Sequence, residues 1–202
     1  MSDASGPRRD FVKKAMSAPY LERDEEHALA VLWKDNQDQD ALRQLTQAHM
    51  RLVIAIAARF RHFGLPMGDL VQEGHVGLLE AAARFEPARE VRFSTYATWW
   101  IRAAIQDFIL RNWSIVRGGT ASAQKALFFN LRRLRARITQ DGTVTASEMH
   151  REVAAAIGVS VNDVATMDVR LSGADTSLNA PISDADDGGS ADRQDFLPDD
   201  GP

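Results

Sequence analysis

The chain has 202 residues, 45% hydrophobic and 26% charged, with a formal net charge of −4 and no cysteine. That length can bury a sizeable core, and the lack of cysteine excludes disulfides, thiolate metal sites and a thiol nucleophile. Residues 1–9 are too polar for a signal peptide and no apolar run nears the ~20 residues of a membrane span, so a cytoplasmic protein is expected.

In chain order, residues 1–18 are expected to be disordered. Residues 21–33 read as a helix, and a polar break follows over 34–38. A longer helix runs over 39–63, where Leu42, Leu45, Leu52, Val53, Ile56 and Phe60 recur at near-helical spacing, and Gly64-Leu65-Pro66 stops it. Asp69, with Gln72 three residues on in the manner of a capping box, opens a helix reaching about Phe85. After Glu86-Pro87 an aromatic helix spans about 94–112, and Gly118-Gly119-Thr120 reads as a hinge. Residues 121–139 form a helix bearing Lys125, Arg132, Arg133, Arg135 and Arg137 without an acid. Thr145 with Glu148, and Ser160 with Asp163, mark the starts of two more helices, over 149–157 and on to Leu171, with Gly158 between them.

No strand pattern competes, so the fold is expected to be all-α. The expected division is 19–114, a linker at 115–120, a smaller three-helix domain at 121–172, and an acidic segment at 173–202. From Asp175 onward the charge is −7, which leaves +3 on the rest. The acidic total therefore does not argue against nucleic acid as a partner.

The aromatic helix carries the most information. Ala97, Ile101, Ala104, Ile105 and Phe108 share a core face, with Phe93 at its margin. Thr95, Tyr96, Trp99, Arg102 and Gln106 fall opposite, and Trp100 lies near the boundary. Such a row suits stacking on unpaired bases and contacting phosphates, although aromatics at this spacing also serve to cover a neighbouring helix. Gly74 and Gly77, in mid-helix, invite close approach of another helix. The five histidines show no metal-ligand spacing, and no Gly-rich phosphate loop or nucleophile–base pair suggests an enzyme, so neither metal nor cofactor is expected.

Two segments carry a family resemblance: Asp69-Leu70-Val71-Gln72-Glu73-Gly74, and Phe93-Ser94-Thr95-Tyr96-Ala97-Thr98-Trp99-Trp100-Ile101-Arg102. They resemble the core-polymerase-binding helix and the promoter-melting helix of bacterial sigma-70 family sigma factors, in family order. The run Gln124-Lys125-Ala126-Leu127-Phe128-Phe129-Asn130-Leu131-Arg132 is similar to the box of the heat-shock, or RpoH, class. Ser177-Leu178-Asn179-Ala180-Pro181-Ile182 resembles the start of that class's finger segment.

The resemblance implies a non-enzymatic promoter-specificity subunit. Its partners would be core RNA polymerase, through the β′ coiled coil and the β subunit, and promoter DNA, chiefly the non-template −10 strand. Chaperones or proteases that control turnover are a further partner class. Asp69, Leu70, Gln72, Glu73, Gly74 and Leu79 would bind the polymerase. Trp99 and Trp100 would form the melting wedge, and Tyr96 with Phe85 and Arg89 would line the pocket for a flipped −11 base. Thr95, Arg102 and Gln106 would contact backbone or the −12 base edge, with Phe93 in the same set and Lys125 and Arg132 on phosphates upstream.

The sequence departs from the family pattern in three respects. The −35-reading fourth domain is expected to be absent, the chain stopping within the acidic finger. Val91 stands where housekeeping members usually have tyrosine, and Ala103 where a glutamine is associated with position −12, so the −10 preference is not carried over. The alternative is a stand-alone regulator whose helix-turn-helix at 145–171 reads duplex DNA, but residues 161–171 offer Arg170 as their one basic residue.

Overall fold

A computed structural model describes residues 9–114, 122–140, 145–173, 175–180 and 192–198. Those residues form eight α-helices and two short 3-10 turns, with no strand among them. The expected all-α class therefore holds. The chain divides into two compact units, Met1–Trp113 and Ser114–Pro202. The expected hinge at Gly118–Thr120 lies outside the described residues.

The first unit contains α1 (Arg9–Ser17), α2 (Arg23–Asn36), α3 (Gln39–Ala58), α4 (Met67–Arg84) and α5 (Phe93–Asn112). Part of the stretch expected to be disordered is thus helical: α1 packs on α3 and buries Ala15. The break expected over 34–38 narrows to two residues. Gln37 adopts a left-handed φ of 54°, and its amide reaches back to the carbonyls of Leu32 and Trp33. Asp38 then caps α3, its carboxylate accepting from the amides of Asp40 (2.8 Å) and Ala41 (3.1 Å). The long helix expected over 39–63 ends at Ala58, and a 3-10 turn, Arg61–Phe63, leads to Gly64 at φ 79°, where a glycine avoids the left-handed penalty.

Asp69 does not cap α4. The helix begins at Met67 with Pro66 at the N-cap, so Asp69 sits in its first turn, exposed, where a carboxylate favours the positive end of the helix dipole. Proline pushes the preceding residue out of the helical region, which moves the boundary two residues upstream.

α4 packs most extensively on α5, and both pack on α3. Leu70, Val71, Gly74, Gly77, Leu78, Ala81 and Ala82 form the buried face of α4. At Gly77 a Cβ would stand 2.7 Å from the Trp100 carbonyl oxygen, 2.9 Å from the Ala104 Cβ and 3.0 Å from the Ile101 Cα. The close helix approach invited by the two glycines is therefore made within the chain, by α5.

The second unit contains α6 (Ser122–Gln140), α7 (Ala146–Ile157) and α8 (Val161–Ser172) around Leu127, Leu131, Met149, Val153, Ala154 and Val164. Both expected capping boxes form: Thr145 with Glu148, and Ser160 with Asp163. Gly158 ends α7 at φ 79° as expected. Across the three helices, Asp168 accepts from Arg135 (3.0 Å) and pairs with His150 (3.1 Å). In the acidic segment, the amides of Arg193 and Gln194 donate to the carbonyls of Ala180 and Leu178. These bonds tie the stretch around Leu178 to a second 3-10 turn, Arg193–Phe196.

Candidate nucleic-acid interface

α5 is apolar or aromatic on two sides, and packing separates them. Phe93, Ala97, Ile101, Ile105 and Ile109, four residues apart in succession, are all fully buried. Phe93, expected at the margin of the core face and among the DNA-contacting residues, is instead the first rung of this ladder. It has no exposed surface to offer a base. Ala104 and Phe108, expected in the core, are half-buried.

The opposite side stays open. Trp99 is 68% exposed, with the Arg102 guanidinium 5.4 Å from its ring centre. Thr95 is exposed; Tyr96, Trp100, Arg102 and Gln106 are half-buried. Arg84, from the end of α4, places its guanidinium 4.9 Å from the Trp100 ring centre. A cation and an aromatic plane thus alternate along the surface, the pattern that lets a protein hold phosphate and base together.

Beneath this surface the rings form a chain. Phe93 meets Phe85 edge-on at 5.2 Å, Phe85 meets Tyr96 at 5.5 Å, and Tyr96 meets Trp100 at 6.1 Å. The Tyr96 hydroxyl donates to the Arg84 carbonyl at 3.4 Å. The expected grouping of Tyr96, Phe85 and Arg89 around one pocket is only partly met. A cleft of about 220 Å³ is lined by Phe85 and Arg89 together with Arg23, Glu26 and Arg92, but not by Tyr96. Phe85 is mostly buried, and Tyr96 lies against it outside the cleft. A groove of about 560 Å³ between α1 and α3 is lined by none of these aromatics.

Residues missed in the sequence hold the start of α5. Its own N-cap, Arg92, provides no side-chain cap; the cap comes from α2. Buried Glu26 accepts from the Phe93 amide (2.8 Å) and, through both oxygens, from Arg92 (3.0 and 3.1 Å). His49 Nε2 lies 3.4 Å from the same carboxylate, while its Nδ1 lies 2.7 Å from the Leu45 carbonyl oxygen. Burial pushes the Glu26 carboxyl up. The hydrogen bonds from His49, Arg92 and the Phe93 amide, with the Arg92 charge, outweigh it and bring the pKa down to about 2. In the sequence, Glu26 is the last of three consecutive acids near a helix start, a pattern that carries no sign of burial. The available signal was His49, a polar residue at core spacing between Leu45 and Val53, which needs a partner.

α4 presents a second candidate surface. Asp69, Gln72, Val76, Leu79 and Glu80 are exposed on the side away from α5, with Glu73 half-buried beside them. Val76 and Leu79 are apolar and framed by acids, which suits a partner that is apolar at its centre and basic at its rim. Leu70 and Gly74, expected in the same set, are buried: a Cβ on Gly74 would meet Val53, Ile105 and Ile101. Their place is in the α3–α4–α5 core, and they shape the surface from behind.

In α6, Leu127, Phe128 and Leu131 of the expected box are buried. Gln124, Lys125, Phe129 and Asn130 are half-buried, and Arg132 is exposed. Arg132, Arg133, Arg135 and Arg137 are all exposed, Arg135 while paired with Asp168 of α8. Among the described residues no group of three or more acidic or histidine side chains could hold a metal ion, and no helix is long and apolar enough to cross a membrane.

Residues 45–115, most of α3 through α5, match the Sigma-70 region 2 family. The chain is 44% identical over 201 residues to the RNA polymerase sigma factor RpoH of Caulobacter vibrioides, covering 98% of this chain and 66% of that protein. It is 47% identical to the RpoH of Rhizobium radiobacter (94% of this chain, 63% of that one) and 42% identical to that of Zymomonas mobilis (91% and 61%). The chain thus spans less than two-thirds of the length of these relatives. With helices throughout the described core, an exposed aromatic row on α5 and 44–47% identity to RpoH proteins over 94–98% of its length, the chain belongs to the sigma-70 family, among the RpoH-type members.

Proposed function

We propose that the chain is a heat-shock-type sigma factor: a non-enzymatic cytoplasmic subunit that binds core RNA polymerase, recognises the −10 promoter element and opens it. The observation that carries this reading is the exposure of Trp99 beside Arg102, with Trp100 and Tyr96 next along α5. A wedge of this kind replaces the stacking partner that a base loses when the duplex opens. Each base–aromatic stack contributes about 1–3 kcal/mol, against a few kcal/mol to unstack a step, so the surface captures melted DNA without nucleotide hydrolysis. Thr95, Arg102 and Gln106 serve the strand's backbone or a base edge. Lys125 and Arg132 on α6 serve phosphates through charge.

The polymerase-binding surface is the outer side of α4: Asp69, Gln72, Glu73 and Leu79, with Val76 and Glu80 added by their exposure. Its acids call for a basic helical partner, which the resemblance identifies as the β′ coiled coil. Turnover by chaperones or proteases belongs to the same reading as a partner class.

The test is a size-exclusion titration of the chain against purified bacterial core RNA polymerase. Co-elution at submicromolar concentration is the expected result. Glu73→Lys should weaken it at least tenfold, since reversing a charge opposite basic residues costs more than about 1.4 kcal/mol. A folded chain that does not bind core overturns the reading.

A further inference from the structure

The buried carboxylate of Glu26 is not among the residues assigned to DNA or to the polymerase, yet it holds the start of α5, whose own N-cap side chain provides no cap. Both its oxygens are taken by Arg92, one also accepts from the Phe93 amide, and the other faces His49. The His49 ring packs edge-on against Phe93 at 4.9 Å. From Phe93 the contacts continue through Phe85 and Tyr96 to Trp100. A single anion on α2 thus holds the first turn of α5, and a run of rings with centres 4.9–6.1 Å apart leads from there to the open face.

An N-terminal turn leaves its first amides without helical partners, and a helix that lacks a cap frays there. Arg92 offers no cap of its own, so the turn holding Thr95 and Tyr96 depends on Glu26. The half-exposed Arg92 side chain joins this carboxylate to the Leu21 carbonyl at 3.3 Å, which adds the chain entering α2 to the same cluster.

We propose that Glu26 is a positioning residue for promoter opening: its carboxylate caps α5 from α2, and Arg92 and His49 hold it there, so that the aromatic face meets the single strand already ordered. This rests on the reading of α5 as the DNA-opening helix. Glu26 touches no DNA in this scheme, and the polymerase-binding side of α4 does not depend on it.

The experiment uses the full chain assembled with core RNA polymerase. The probe is a single-stranded oligonucleotide selected by the wild-type holoenzyme from a randomised pool. Glu26→Gln keeps the shape and removes the charge. It should leave core affinity unchanged and lower oligonucleotide affinity about five- to tenfold, the scale of a lost helix cap coupled to a charged pair. Amide hydrogen exchange should speed up at residues 93–96 and stay unchanged on the outer side of α4. Glu26→Asp keeps the charge on a shorter arm that draws back from the Phe93 amide, and should fall between the two. All affinities are measured at least 15 °C below each variant's melting midpoint.

Core and oligonucleotide affinities falling in parallel would overturn the proposal, because Glu26 would then be a residue of general stability. So would faster exchange at 93–96 with undiminished oligonucleotide affinity. If Glu26→Gln fails to fold, Arg92→Gln tests the same link from its half-exposed side. A twofold or greater loss of oligonucleotide affinity with intact core binding supports the proposal, and no loss overturns it. Failure of the wild-type chain to bind core would instead strike at the sigma-factor reading itself.

Discussion

Trp99 stands clear of its own helix bundle, which makes it a separable side chain: removing it strips a surface and leaves the core intact. Trp99→Ala should keep its melting temperature within a degree or two and lose about tenfold in affinity for single-stranded −10 DNA, the worth of one stack, with core binding unaffected. Equal weakening of both kinds of binding would mean the ring packs against something. Glu26 behaves in the opposite way, because it is buried and ionised. Its carboxyl is lowered from 4.5 to about 2 in the folded chain. The folded state therefore gains stability that is fully present above pH 4.5 and is lost as pH falls through about 2. Urea denaturation of wild type and Glu26→Gln at pH 7 and at pH 3 should show the gap between them narrowing at the lower pH. A gap that stays constant would mean that the charge does not carry the effect.

At the scale of elements, α4 and α5 are in contact because of glycines. At Gly77 the atoms that would meet a Cβ are mostly backbone and cannot turn aside, whereas at Gly74 they are the ends of Val53, Ile105 and Ile101. Alanine would gain about 1 kcal/mol of helix propensity at either site, set against roughly 1–3 kcal/mol of overpacking where the neighbours are fixed. Gly77→Ala is thus expected to lower the thermal midpoint by several degrees, and Gly74→Ala by less. Gly77→Ala should also disturb the open face, since Trp100 supplies the carbonyl it strikes. Intrinsic tryptophan fluorescence and the unfolding midpoint, measured on both variants, check the order.

Across the whole molecule, each of the two units has its own core: one around Leu45, Val53, Leu78, Ile101 and Ile105, the other around Leu127, Leu131 and Val153. A fragment ending at Trp113 should therefore retain its helices and unfold cooperatively, by circular dichroism against temperature. A sloping, non-cooperative melt would show that the first core is incomplete without the second unit. The sequence by itself determined the helical class, the order of the helices from α2 onward and the helix ends at Thr145, Ser160 and Gly158, because those signals are local, although the equally local pattern of Asp69 and Gln72 misplaced the start of α4. It also exposed the odd placement of Trp99, since periodicity assigns faces. Tertiary structure decided which of two apolar faces is covered and how far. It drew Phe93 into the core, turned Gly74 and Leu70 inward, and separated Tyr96 from the cleft beside Phe85. It also brought Glu26 to an amide 67 positions along the chain, a pairing that depends on how α2 and α5 pack and that leaves no periodic trace in either helix.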